Sequence, residues 1–493
     1  MPPPNILLIT TDEQNARCAG YAGDPVIRTP NVDRLAREGM VFHRAYTTQP
    51  LCTPARASVW TGQHVTTHGV TGNIFTGLKK GIRAGTVTVS RLLQAAGYET
   101  ALIGKRHLGF ENEDDIALDH QDLAESKFDF NPPGMTDDYR RWLADQGYSK
   151  EEIETWVRPD MQEDYTRNYG AIRFPLEERY YVDSYVGRQS VEYLRGRGDR
   201  PFFLWVSFCS PHHPWDPPKR YDQMYDPQDI VLPERSPEEL ENKPFSHRIR
   251  AIRCARNSPL PHGWGAPGEE VQRMIDDPVS CPSADEIARM IPEDTQRRMI
   301  ARYYGTITLV DDRIGDILDT LEGRRLLDET IIVFASDHGD HLGEHYLWLK
   351  GGTMYESLVR VPFIVRIPGG RVGGRECREL VSLFDLAPTF LQWAGVDRAD
   401  TPEAQQFRRQ LDGRSFHSLL EHPETPIHEE LFIGTRAIVT RRWKYVWNRG
   451  DRDELYDLQH DPKELDNLSG APEHAATEEQ LRSRLFERFG IRT

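Results

Sequence analysis

NILLITTDEQ, Asn5 to Gln14, sets an unbroken apolar run directly before two acids. The run is short for a core helix, and a continuous apolar stretch between polar residues is what a strand buried on both faces looks like. Three further runs share this form: ETALIG (Glu99–Gly104), PFFLWVSF (Pro201–Phe208) and TIIVFAS (Thr330–Ser336). Helical patterns lie between them. TPNVDRLAREG (Thr29–Gly39) has proline near its start and glycine at its end, as a helix should. VSRLLQAAGY (Val89–Tyr98) and YYGTITLVDDRIGDILDTLEG (Tyr303–Gly323) carry apolar residues at helical spacing. Strands alternating with helices predict an α/β fold around a mostly parallel sheet.

The residues directly beyond each strand point to chemistry. After the first comes Asp12-Glu13; after the second, Lys105-Arg106-His107; after the third, Ser-Pro-His212-His213-Pro; after the fourth, Asp337-His338-Gly339-Asp340. Taken singly, such residues are ordinary turn formers. Four strands delivering them to one edge indicate a site, because ligands of open α/β sheets bind outside the carboxyl ends of the strands. Asp12 and Asp337 offer carboxylates suited to hard divalent cations, and His338 adds an imidazole that also admits manganese, zinc or iron.

Composition narrows the function. The 493 residues are 38% hydrophobic and 28% charged, as in soluble globular proteins, with room for a large core. No apolar run approaches the length of a membrane span. The N-terminus lacks a basic flank and a cleavage site, so a cytoplasmic location is expected. A net charge of −16 argues against nucleic-acid binding, and it requires a local cation cluster or metal if the substrate is anionic. Six scattered cysteines without C-x-x-C spacing indicate neither a zinc ribbon nor a disulfide framework.

Two stretches fit the sheet poorly. Residues 111–169 are polar and aromatic-rich, and residues 222–297 mix proline, charge and short helical pieces. Both read as insertions over the sheet edge, where substrate loops lie. Beyond about residue 394, polar DRADTPEAQQFRRQ leads to short strands (ELFIGTRAIVT, WKYVWN) and a charged final helix. The expected organisation is a catalytic α/β domain over 1–394 and a small α+β subdomain over 395–493.

Two motifs invite misreading. His341-Leu-Gly-Glu344-His345 matches the zinc-protease pattern H-x-x-E-H, but that pattern needs a helix, and Gly339 and Gly343 punctuate the segment. PLCTPARASVWTG (Pro50–Gly62) places Cys52 at a helix start, where a reactive thiolate is one reading and a buried structural cysteine another. Arg56 stands too close for a thiolate-phosphatase cradle, and Pro54 lies inside the turn.

Cys52-Thr53-Pro54-Ala55-Arg56 resembles C-x-P-x-R, the motif at which sulfatases have a cysteine converted to formylglycine. The likeness extends through TPNVDRLAREGMVFHRAY, GKRHLG, the Pro-His-x-Pro segment, SDHGDHLGEH, LKGGTMYE, RVPFIVRIPG and LYDLQHDPKELDNL, in the family's order. It implies the alkaline-phosphatase-like fold. It also implies that Asp12, Asp337 and His338 bind a divalent metal together with an oxygen of modified Cys52. By the same resemblance Arg56 holds the formylglycine hydrate, and Lys105 and Lys350 bind sulfate oxygens. His107 takes a proton as the covalent intermediate collapses, and His212 or its neighbour His213 serves the leaving oxygen. Asn73 is a further candidate for the sulfate pocket.

A hydrated formylglycine has one hydroxyl to attack sulfur and a second to lose its proton and eject sulfate, an elimination that neither thiol nor serine can perform. Glu13 stands where many relatives carry an aspartate or glutamine, and either binds the metal through a longer arm or orients other ligands. His338, where many sulfatases have asparagine, leaves the metal open between calcium and manganese. The expected partners are a small-molecule sulfate ester and a formylglycine-generating enzyme; a homo-oligomer is left open.

The enzymatic rival is a phosphonate monoester or phosphodiester hydrolase of the same superfamily. Such enzymes tend to lack the lysine and histidine of GK-x-H, which this chain retains as Lys105 and His107. The non-enzymatic rival is a metal- and anion-binding pseudoenzyme in which Cys52 stays a thiol. Trp142, Trp156, Tyr165 and Trp264 could each stack on a substrate ring or simply pack.

Overall fold

Every residue of β1 (Asn5–Asp12) is buried, and its side chains divide by parity. Ile6 and Leu8 join one apolar cluster, Leu7 and Ile9 another. This is the two-residue period of a strand with a core on each face. The computed structural model describes residues 3–73, 81–109, 111–125, 137–149, 167–256 and 269–492.

The other strands of the central sheet are β2 (Met40–Phe42), β3 (Glu99–Gly104), β4 (His120–Leu123), β5 (Phe202–Pro211), β6 (Thr330–Ser336), β7 (Phe363–Arg366) and β8 (Arg375–Cys377). Their spatial order is β8-β2-β7-β6-β1-β5-β3-β4. Strands β6, β1, β5, β3 and β4 run parallel. Among these strands only β7 opposes its neighbours, β6 and β2, and β8 returns parallel to β2. Helices α1 (Pro30–Glu38), α3 (Val182–Gly196) and α5 (Glu293–Gly323) cover the Leu7 face, and α2 (Cys52–Thr61) and α6 (Leu386–Trp393) the Ile6 face.

The four apolar runs are the four central strands, so the mostly parallel sheet expected from them is the sheet observed. β4 lies inside the first stretch set apart as an insertion and forms the sheet edge beside β3. Its sequence, HQDL, is largely exposed and offers no apolar run to signal a strand. Within the second stretch, α4 (Phe245–Ala255) packs through Ile249, Ala251 and Ile252 in a cluster with Leu347, Tyr355 and Tyr456.

Past residue 394 the chain forms a four-stranded antiparallel sheet, β9 (Glu430–Ile433), β10 (Ala437–Thr440), β11 (Trp443–Val446) and β12 (Glu454–Asp457). The final helix α7 (Ala475–Phe489) lays Leu481 and Leu485 against Ile438, Tyr445 and Leu455 of that sheet. Among the described residues, no helix is long and apolar enough to cross a membrane.

Candidate active site

The carboxyl ends of β1, β3, β5 and β6 converge on the N-terminus of α2. Cys52 is the first residue of that helix, and all ten of the helix's residues are buried. The preceding Leu51 has no capping side chain. Asn73 supplies the missing acceptor instead, its Oδ1 taking the Thr53 N–H at 3.1 Å.

The strand ends are held tightly. A Cβ on Gly104, at φ +104°, would lie 2.0 Å from the Ser207 carbonyl oxygen, so only glycine lets β3 close on β5 there. The next residue, Lys105, then donates its backbone N–H to that carbonyl at 2.8 Å, which aims its side chain at Asp12. Glu13 (φ 71°) and His107 (φ 46°) are non-glycine residues in left-handed backbone, a conformation that costs about 1–3 kcal/mol each. Both are pinned: the Glu13 N–H donates to Asp337 Oδ1 at 3.1 Å, and the His107 N–H to Glu125 Oε2 at 2.7 Å.

Around Cys52 Sγ stand Lys350 Nζ at 3.0 Å, His338 Nε2 at 3.3 Å, Asp12 Oδ1 at 3.4 Å and Lys105 Nζ at 4.0 Å. Lys105 Nζ also donates to Asp12 Oδ2. Arg56, fully buried one turn into α2, donates from Nε to Asp337 Oδ2 at 3.1 Å. Its Nη1 reaches the Lys105 carbonyl and Ser207 Oγ, both at 2.7 Å. The site thus gathers three buried cations within a chain of net charge −16.

Burial, reinforced by Asp12, pushes the Cys52 thiol up to about 12 despite both lysines. The sulfur is a poor nucleophile in this setting. Burial would also raise Asp12, but Lys105, His212, Lys350 and Arg56 together hold its carboxyl well below the usual range. For His107, burial and then Lys105 keep the imidazole neutral.

Donor atoms of Asp12, Cys52, Asp337 and His338 lie within 4.8 Å of one another, as do those of Asp12, Glu13 and His212. His338 Nδ1 pairs with the Gly339 carbonyl at 2.9 Å, so that nitrogen carries the proton and Nε2 turns its lone pair toward Cys52 and Asp12. Two buried polar atoms here, Glu13 Oε1 and Arg56 Nη2, make no hydrogen bond, although Nη2 lies 3.9 Å from Asp12 Oδ2. Two carboxylates, one oriented imidazole and orphaned buried polar atoms together fit a divalent cation and an oxygen-bearing residue 52.

The sulfatase family profile matches residues 4–396, and the C-terminal profile of N-sulphoglucosamine sulphohydrolase matches residues 343–489. An arylsulfatase of Clostridium perfringens (strain 13 / Type A) is 32% identical over 98% of this chain and 94% of its own. A choline-sulfatase of Rhizobium meliloti (strain 1021) is 29% identical over 95% and 83%. The chain belongs to the sulfatase family. By that membership it is a sulfuric ester hydrolase. The phosphonate monoester hydrolase SpPMH of Silicibacter pomeroyi has the same fold, with a TM-score of 0.75, 23% identity and 98% and 95% of the two chains covered.

Most of the residues singled out in this sulfatase's sequence meet in one place; His213 does not. Its Nε2 pairs with the Tyr169 carbonyl at 3.1 Å and its ring stands edge-on to Trp215. His212 faces the site, with Nε2 3.4 Å from Glu13 Oε2. Glu13 itself bridges His212 and Lys350 Nζ, the latter at 2.9 Å. The H-x-x-E-H segment is no helix: Glu344–Tyr346 is a single 3-10 turn. His341 is bonded through both ring nitrogens to Ser357 and Thr353. Trp142 packs among Tyr139, Tyr180 and Tyr185 beneath Arg188, whereas Trp156, Tyr165 and Trp264 lie outside the described residues.

Sequence reading missed the residues that hold the sulfatase site from behind. Arg250, on α4, donates to the Lys350 carbonyl. Arg436, between β9 and β10, donates to the Gly352 carbonyl at 3.2 Å. Both reach across long sequence separations to backbone carbonyls, and such contacts leave no local motif.

Proposed function

We propose that this sulfatase hydrolyses a sulfate monoester with formylglycine, made from Cys52, as its nucleophile and with one divalent cation, Ca2+ or Mn2+, held by Asp12, Asp337 and His338. The observation that carries the reading is the ring of Asp12, His338, Lys105 and Lys350 around Cys52 Sγ, combined with a thiol that burial holds protonated. When present, the hydrated aldehyde supplies an attacking oxygen that the cation acidifies.

The chain's own residues do the rest. Lys105 and Lys350 approach residue 52 from its reacting side, so their ammonium groups meet the sulfate oxygens as charge builds on them. Arg56, locked by Asp337, Ser207 and the Lys105 carbonyl, keeps one orphaned Nη2 buried beside Asp12 to hold the oxygen at residue 52. His212 donates its proton to the departing alkoxide, and Glu13, its neighbour, orients both His212 and Lys350. His107, kept neutral by burial and Lys105, accepts the proton released as sulfate leaves. Glu13 has its firmest contact with Lys350, which supports orientation over metal ligation. Oxygen donors with a single imidazole suit manganese as well as calcium.

The test is turnover of an aryl sulfate, an aryl phosphonate monoester and an aryl phosphodiester by one preparation. The sulfate is expected to have the highest kcat/KM, because the two fixed ammonium groups of Lys105 and Lys350 favour the sulfuryl group. A clear preference for either phosphorus ester would overturn the sulfate assignment in favour of the superfamily's phosphonate or phosphodiester chemistry.

A further inference from the structure

Leu51 and Gly351, the chain neighbours of Cys52 and Lys350, line a cleft of about 320 Å³, the size of a pocket for a small organic group. Leu51, Thr71, Gly351, Met354, Thr435 and Arg436 are among the residues that line it. Gly434, Thr435 and Arg436 of this lining form the turn between β9 and β10, which is docked on the segment leading into α2: the Gly434 N–H donates to the Thr48 carbonyl at 2.7 Å. At φ +55°, a Cβ on Gly434 would sit 2.4 Å from Gln49 Oε1. The left-handed backbone at Gly434 is what favours glycine in this turn.

Among the described residues, Arg436 is the one charged side chain on the cleft wall. Its Nε donates to the Trp447 carbonyl at 3.2 Å, Nη1 to the Gly352 carbonyl at 3.2 Å and Nη2 to Asn448 Oδ1. A guanidinium has five N–H groups, so one on each terminal nitrogen is left for another acceptor. Among the described residues no carboxylate pairs with it directly; Asp451, Asp453 and Glu454 act on it only through space. The result is a half-buried, rigidly held cation with its fork unsatisfied, on the wall of a cleft that is otherwise neutral. Two parallel N–H groups on one guanidinium match the two oxygens of a carboxylate.

We infer that this cleft receives the alcohol portion of the ester and that Arg436 selects alcohols bearing a carboxylate. The inference rests on the sulfatase reading above and adds the chemical class of substrate. The β9–β10 turn then has two tasks: it steadies the Lys350-Gly351-Gly352 backbone through the Gly352 carbonyl, and it reads the leaving group.

The experiment compares carboxyphenyl sulfate with carbamoylphenyl sulfate, a neutral isostere, in para and meta forms. Because both substrates are assayed on one preparation, their kcat/KM ratio is independent of the fraction of enzyme that is folded and modified. The native enzyme is expected to favour the carboxylate of at least one isomer pair by about 10-fold or more, as a charge-assisted bidentate contact does. In Arg436→Gln the ratio falls to near unity, and Arg436→Lys retains part of it. Equal turnover of both members of each pair by the native enzyme overturns the assignment of Arg436, and so does a preference that survives Arg436→Gln. A purely structural Arg436 would lower both substrates together and leave the ratio unchanged. Turnover of none of the sulfates, with turnover of an aryl phosphonate, would overturn the sulfatase reading itself and this inference with it.

Discussion

The loop after β6 carries two clusters of acid and histidine, Asp337-His338 and His341-x-x-Glu344-His345, and they differ in what their lone pairs face. His338 spends Nδ1 on a backbone carbonyl and points Nε2 at Cys52 and Asp12. His341 spends both ring nitrogens on hydroxyl groups. His345 gives Nδ1 to Glu239 at 2.6 Å and lays its ring on Tyr355, with centroids 3.8 Å apart. Glu344 is paired with Arg17 at 2.8 Å. The second cluster matches a metalloprotease pattern in sequence and serves as mortar, tying the loop to Arg17, Glu239 and the segment 353–357. Donor atoms converge around His338 and, among the described residues, do not around His345, whose Nε2 is also unbonded; convergence, more than residue type, is what a metal would require.

That contrast can be broken at several points, in descending order of effect. Asp337→Asn or His338→Ala should strip the bound cation, measured by elemental analysis. Aryl sulfate turnover should drop by more than the about 10–100-fold that accompanies loss of an outer-shell partner. Bound metal at the native level in both variants would place the ion elsewhere. Lys350→Ala should retain the cation while lowering kcat by about 10²–10³, the range for removing one fixed transition-state donor.

Arg250→Gln removes the hydrogen bond to the Lys350 carbonyl, so it should lower kcat by about 10-fold through misplacement of that lysine, again with native metal content. An unchanged kcat would mean that the Lys350 loop needs no support from α4. The smallest expected effect on function belongs to the second cluster. His345→Asn should leave metal content and kcat/KM as they are and lower unfolding stability by about 1–3 kcal/mol, the cost of losing its hydrogen bond to buried Glu239. Urea denaturation would measure this, and loss of metal from His345→Asn would erase the distinction between the clusters.

The sequence makes one half of the site readable and hides the other. Asp12, Lys105, His212, Asp337 and His338 each stand directly beyond an apolar run, so strand recognition and the strand-end rule bring them together without knowledge of the pairing. Cys52 and Arg56 are legible by resemblance to C-x-P-x-R, the motif at which sulfatases have a cysteine modified. Which of His212 and His213 turns inward depends on the chain path through Pro211 and Pro214 and on the Tyr169 carbonyl, and no local pattern encodes that. The edge strand β4 escaped because HQDL has neither length nor apolar alternation. Arg250 and Arg436 escaped because each acts on a backbone carbonyl distant in sequence.

The mechanism proposed above turns on the sulfur of Cys52 being a precursor and an aldehyde doing the chemistry. The direct measurement is peptide mass analysis at position 52, paired with aryl sulfate turnover, on protein produced with and without a formylglycine-generating enzyme. The expected result is an aldehyde mass in place of the thiol, turnover that scales with the aldehyde fraction, and none from Cys52→Ala. Full turnover by protein whose Cys52 is wholly thiol would contradict it.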